Sequence, residues 1–210
     1  MPSLAECRLY GIIDLSYIEA REVNRVAQAM VEGSMDMVQL RGKDRSIDEL
    51  SEIAAGLHRI TFASGIPLLV NDHPEIAKRV PVEGVHVGQE DESIAGVRRS
   101  LERKVLVGKS THNLAQATAA QDEGADYIGF GPVFATPTKP DYQPIGLSDI
   151  GQVHKDVALP IFCIGGIKID NLAEVIAAGA KRVVIVSGLL KAQDIPHYAR
   201  ACKKLLASAI

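Results

Sequence analysis

Short aliphatic or β-branched runs alternate along this chain with longer stretches whose apolar residues recur every three or four positions. The first pattern is that of a strand buried on both faces, and the second that of an amphipathic helix. "RLYGIID" predicts a strand and "EAREVNRVAQAMVEG" the helix behind it. "MDMVQL" and "SIDELSEIAAGLHRITFASG" repeat the pair, with Ser46 and Glu49 spaced as a capping box. "IPLLVN" precedes a short helix in "HPEIAKRV", where Pro74 suits a first helical turn. "GVHV", "KVLVGKS", "ADYIGFG", "LPIFCIGG" and "AKRVVIVSG" predict the remaining strands, each followed by a helical stretch. The eight units follow one another without a Pro/Gly/Ser-rich linker. They predict an α/β protein, a single (β/α)8 TIM barrel over residues 1–210, in preference to an open doubly wound sheet.

Composition narrows the partners. Hydrophobic residues make up 47% and charged residues 23%, as in an ordinary globular protein. A net charge of -3, no basic stripe, no Trp and 4% aromatic residues argue against a nucleic-acid partner. No apolar run reaches the length of a membrane span, and the first residues lack a signal-peptide pattern. Cys7, Cys163 and Cys202 are odd in number, far apart and without zinc spacing, so they read as reduced thiols. The expectation is a cytoplasmic protein with small-molecule substrates and no membrane partner; a homo-oligomer is compatible with all of this.

Barrels of this type carry their sites at the C-terminal ends of the strands. The polar residues gather there. Asp14 follows the first strand, and Gln39, Arg41 and Lys43 follow the second. Asn71 and Asp72 end the third, and His86, Gly88 and Asp91 lie along or after the fourth. Ser110 ends the fifth, and Thr136, Thr138 and Lys139 follow the sixth. Arg41, Lys43 and Lys139 are cations suited to phosphate oxygens. Asp72 and Asp91 follow neighbouring strands, and such a carboxylate pair suits Mg2+ completed by substrate phosphate and water. "IGGI" and "VSG" open the last two helical units with small residues, an arrangement that suits a second phosphate. A metal-bound diphosphate is a good leaving group, so the rim points to group transfer with diphosphate release. The bland readings are a helix cap for Asp14, Asp72, Asp91 or Ser110, a buried hydrogen-bonded role for His86, and surface positions for His58, His154 and His197.

The stretches "VQLRGKD", "LLVNDH", "GVHVGQED", "VGKSTHN", "ADYIGFGPVFATPTKP", "IGGI" and "VIVSG" together resemble the thiamine-phosphate synthase family. The resemblance spans Leu9 to Gly188. It implies condensation of hydroxymethylpyrimidine diphosphate with a thiazole phosphate carboxylate to give thiamine monophosphate. It also implies that Gln39, Leu40, Arg41, Gly42, Lys43 and Asn71 hold the pyrimidine diphosphate, with Ser110 and Lys139 touching it. Thr136, Pro137 and Thr138 would meet the thiazole substrate, whose phosphate would lie against Gly166, Val186 and Ser187. Asp72 and Asp91 would hold Mg2+, and Arg41, Lys43, Ser110 and Lys139 would serve the departing diphosphate. Gly42 and His73 depart from the family, which reads Arg-Glu-Lys and Asn-Asp-Arg at those points. A thiazole tautomerase of the same fold and a catalytically idle binder of the same phosphates are the alternatives.

Overall fold

The computed structural model describes residues 3–136 and 143–208. Eight parallel strands close into a barrel in chain order. They are β1 (Leu9–Asp14), β2 (Met37–Arg41), β3 (Leu68–Asn71), β4 (Gly84–Val87), β5 (Leu106–Thr111), β6 (Tyr127–Phe130), β7 (Ile161–Cys163) and β8 (Val183–Ile185). Closure is made by β1 against β8, with Leu9 opposite Val183, Tyr10 opposite Val184 and Gly11 opposite Ile185. The helices are α1 (Val23–Glu32), α2 (Ile47–Ala63), α3 (Pro74–Arg79), α4 (Ile94–Ser100), α5 (Leu114–Asp122), α6 (Ile150–Asp156), α7 (Leu172–Ala177), α8 (Ser187–Leu190) and α9 (Ile195–Ala207). The four-residue α8 splits what the sequence predicts as one unbroken C-terminal connection. Single helical turns carry no periodicity, so nothing in the pattern marks it.

Strand parity divides the apolar residues between two cores. Leu9, Ile13, Val38, Leu40, Val85 and Val107 face outward and pack under the helices. Tyr10, Ile12, Met37, Leu69, Tyr127, Phe162 and Val184 face inward and fill the barrel. Tyr10, Tyr127 and Phe162 meet edge to face, at centroid distances of 6.0, 5.5 and 5.6 Å. Gly108 makes room for this trio. A Cβ there would lie 2.1 Å from Cζ of Tyr127.

Local signals explain most helix starts. Ser46 Oγ accepts from the Glu49 N–H, but Glu49 turns its carboxylate to Arg45, so only half of the capping box forms. Ser93 caps α4 and Asn113 caps α5 in the same way. Among the three helical histidines expected at the surface, only His197 is exposed. His58 is largely covered, with Nε2 3.0 Å from Glu83. His154 is half-buried, and burial, with Lys181 and Arg182 nearby, lowers its pKa from 6.5 to about 4. The amphipathic pattern assigns a face but not its overhang, and both histidines are half-buried.

The His154 shift has a sign. Its folded pKa lies below the unfolded value, so the unfolded chain takes up the proton first as pH falls. Stability from this group is complete above about 6.5 and is lost between pH 6.5 and 4. Urea midpoints should therefore fall across that window, and His154→Gln should remove that part of the slope. An unchanged slope in the variant would refute the assignment.

Candidate functional site

An open cleft of ≈ 790 Å³, counted out to solvent, lies at the C-terminal end of the strands. Its floor is the last inward-facing layer of the barrel, including Ile12, Ile164 and Val184. Eight of the sequence-predicted residues line it: Gln39, Arg41, Asn71, Ser110, Thr136, Gly166, Val186 and Ser187. They come from β2, β3 and β5 and from the segments after β6, β7 and β8. Parity explains the choice on β2. Gln39 and Arg41 share the inward face of Met37, whereas Val38 and Leu40 face the helices.

Leu40 and Gly42 turn away from the cleft, and Lys43, Asp72 and Asp91 are also not among the residues that line it. Leu40 is buried in the layer between strands and helices. Gly42 points the same way, and a Cβ there would lie 2.8 Å from Leu50 and 2.9 Å from Leu15. A glutamate at position 42 would have to displace both leucines, so Gly42 is matched to its packing. Lys43 is exposed just beyond. Pro137, Thr138 and Lys139 lie outside the described residues.

Asp14 is the residue that sequence reasoning undervalued. It is 1% exposed and pairs with Arg41, itself 7% exposed, at 2.6 Å from Oδ2 to Nη1. Its other oxygen accepts from the Ser16 N–H at 2.9 Å and the Ser16 hydroxyl at 2.8 Å. β1 and β2 place Asp14 directly opposite Arg41. The carboxylate is thus a fixed clamp on a guanidinium that lines the cleft, and it tightens a turn rather than capping a helix. Inward parity on two neighbouring strands was the signal that could have found it.

Asp72 and Asp91 are not helix caps either. His73 stands at the N-cap of α3, and Ser93 caps α4. Asp72 has φ 62, a left-handed conformation that Asp adopts more readily than most residues. Its N–H donates to the His86 carbonyl at 2.8 Å, tying the end of β3 to β4. Asp91 folds back so that Oδ2 accepts from the Gly88 N–H at 2.6 Å. The Asp72 backbone and the Asp91 carboxylate thus sit at the β3–β4 corner, and neither residue is among those that line the cleft. Among the described residues no group of three or more His, Cys, Asp or Glu side chains gathers to hold a metal.

The glycine turn after β7 is fixed by close approach. Gly165 and Gly166 have φ 101 and 66, and a Cβ on either would strike Pro132 or Phe134 at 2.4 or 2.6 Å. Val133 and Phe134 donate to the carbonyls of Ile164 and Gly165 at 2.8 and 3.0 Å, which welds the segment after β6 to this turn. Thr136 and Gly166 thus reach the same wall of the cleft.

His86 is buried and hydrogen-bonded, as expected, and it also lines the cleft. Nε2 lies 2.9 Å from Ser110 Oγ, and Nδ1 lies 2.8 Å from the Tyr127 hydroxyl. Ser110 sits within β5 and caps nothing, since Asn113 caps the following helix. The three cysteines take no part. All are buried and unpaired, and burial pushes Cys7 and Cys202 up to about 11 and Cys163 to about 12.

A closed parallel barrel with a polar cleft over an apolar floor defines an enzyme of the (β/α)8 class acting on small molecules. Residues 9–189 match the family described as thiamine monophosphate synthase. A thiamine-phosphate synthase of Chloroflexus aurantiacus is 40% identical over 97% of this chain and 94% of its own. One from Pelotomaculum thermopropionicum is 38% identical over 98% and 95%. The solved thiamine phosphate pyrophosphorylase of Pyrococcus furiosus superposes with a TM-score of 0.88 at 29% identity, covering 99% of this chain and 98% of that one. The chain belongs to the thiamine-phosphate synthase family of transferases.

Proposed function

We propose that the chain joins hydroxymethylpyrimidine diphosphate to a thiazole phosphate carboxylate, releasing diphosphate and carbon dioxide to give thiamine monophosphate. What carries the reading is the gathering of Gln39, Arg41, Asn71 and Ser110 with Thr136, Gly166, Val186 and Ser187 around one cleft. Two ligand halves can be served side by side there. The first group supports the pyrimidine diphosphate and the second the thiazole phosphate. Lys43, from the loop after β2, and Lys139 add cations for the departing diphosphate, and Pro137 and Thr138 complete the thiazole side.

In the reaction the bond between the pyrimidine methylene and the diphosphate oxygen breaks, and its electron pair leaves with the diphosphate. The electron-rich aminopyrimidine stabilises the methylene cation until the thiazole nitrogen captures it. Loss of carbon dioxide then leaves its bonding electron pair on the ring carbon, which takes a proton from water to complete the thiazolium. Arg41, oriented by Asp14, supplies fixed positive charge where negative charge develops. No protein nucleophile is required.

Mg2+ fits the donor set. Asp72 and Asp91 offer hard carboxylate oxygens from loops after neighbouring strands, and neither is spent on capping a helix. These two residues would hold the ion, with diphosphate oxygens and water as its remaining ligands. Bound there, the ion neutralises charge on the leaving diphosphate. The buried, unpaired cysteines support a reducing, cytoplasmic setting.

The test is to mix both substrates with Mg2+ and measure diphosphate and thiamine monophosphate together. Stoichiometric appearance of the two is expected. Binding of both ligands without release would identify an idle binder. Isomerisation of the thiazole carboxylate alone would identify a tautomerase.

A further inference from the structure

Below the cleft a single row of hydrogen bonds crosses the barrel. Gln39 Nε2 donates to the Tyr10 hydroxyl at 2.5 Å. Tyr10 and Tyr127 hydroxyls lie 3.2 Å apart, Tyr127 reaches His86 Nδ1 at 2.8 Å, and His86 Nε2 reaches Ser110 at 2.9 Å. The row starts and ends on residues that line the cleft, while both tyrosines lie beneath it. We infer that this row is a positioning device with one proton direction, and that it makes Gln39 present an acceptor, and Ser110 a donor, to the ligand.

The direction follows from counting donors. Tyr10 accepts from Gln39, so its own proton goes to Tyr127. Tyr127 then accepts from Tyr10 and sends its proton to His86 Nδ1. Nδ1 is therefore bare and the imidazole proton sits on Nε2, which donates to Ser110 Oγ. The Ser110 proton is left to point at the cleft. At the other end Gln39 Oε1 is buried and has no hydrogen-bond partner among the described residues, and the residue, 1% exposed, lines the cleft. A buried amide oxygen left unpaired costs stability unless a ligand N–H meets it. Burial pushes both phenols above their ordinary range, so the row keeps its protons at working pH.

The complementary ligand is a flat ring with an N–H on one edge and an acceptor toward the opposite wall, as an aminopyrimidine ester has. Only that last identification rests on the proposed function. Tyr10 and Tyr127 are positioning residues, since they act through Gln39, His86 and Ser110.

The experiment has two arms. In the first, the full chain is labelled with 15N-histidine and observed without ligand at pH 8, His86 being assigned from the spectrum of His86→Gln. A neutral ring protonated at Nε2 is expected, and Tyr127→Phe should release it into a tautomer mixture. A ring protonated at Nδ1, a ring carrying both protons, or a tautomer indifferent to Tyr127→Phe would overturn the row. In the second arm, Tyr10→Phe keeps the ring packing and removes both the acceptor of Gln39 and the donor to Tyr127. It should raise KM for the pyrimidine diphosphate about tenfold, the effect of one lost hydrogen bond, leaving KM for the thiazole phosphate unchanged. Equal rises in both would refute positioning. If the unmodified protein shows no turnover, the proposed function fails while the tautomer still decides the row.

Discussion

EDTA should stop diphosphate release, and Asp91→Ala should lower it at least about a hundredfold at a fixed Mg2+ concentration. The magnitude is that of several kcal/mol of charge stabilisation on the leaving group. Asp91 caps no helix. Its helix is capped by Ser93, and its side chain is exposed. Loss of the bond from the Gly88 N–H costs the fold about 1 kcal/mol, or about 2–4 °C in melting temperature. Raised Mg2+ should restore part of the lost rate. The measurement is diphosphate release against Mg2+ concentration, beside thermal melts of both proteins. A variant that melts far earlier, and whose activity falls only in step with its folded fraction, would show that Asp91 serves the fold instead of the ion.

How much of this was legible beforehand depended on which physical pattern carried it. Even the four-residue β4 was readable, because Gly84 and flanking valines make a buried run distinct from the helices on either side. The rim was readable because polar residues interrupt apolar strands at one end only. Leu40 and Gly42 were assigned to the ligand by contiguity with Gln39 and Arg41, yet a strand alternates its faces, and these two turn to the helices. Tertiary pairing was the harder part. The row through Tyr10, Tyr127 and His86 joins strands that are not neighbours, and no spacing within one strand announces a contact across the barrel. The fate of Glu49 was equally hidden, since Arg45 competes for the carboxylate that a capping box would use.

Asp14→Asn is the sharper test of how the site is held. The carboxylate accepts three donors: the Arg41 guanidinium on one oxygen, and the Ser16 N–H and hydroxyl on the other. An amide of the same shape has one oxygen. Its NH2 must therefore face either Arg41 or Ser16, donor against donor. Arg41 is also left in a buried position without its counter-charge. The folded state should lose about 3 kcal/mol, the lower end for breaking a buried pair, because the amide still makes part of the contacts. Catalysis should lose more. A guanidinium displaced by about 1 Å costs about a hundredfold in kcat/KM, and the loss should fall on the pyrimidine diphosphate, with KM for the thiazole phosphate unmoved. Arg41→Lys supplies the check, since an ammonium has no planar fork for Asp14 to orient. In that background Asp14→Asn should add little further loss of rate. Full additivity of the two substitutions would mean that Asp14 acts on the site by some route other than Arg41.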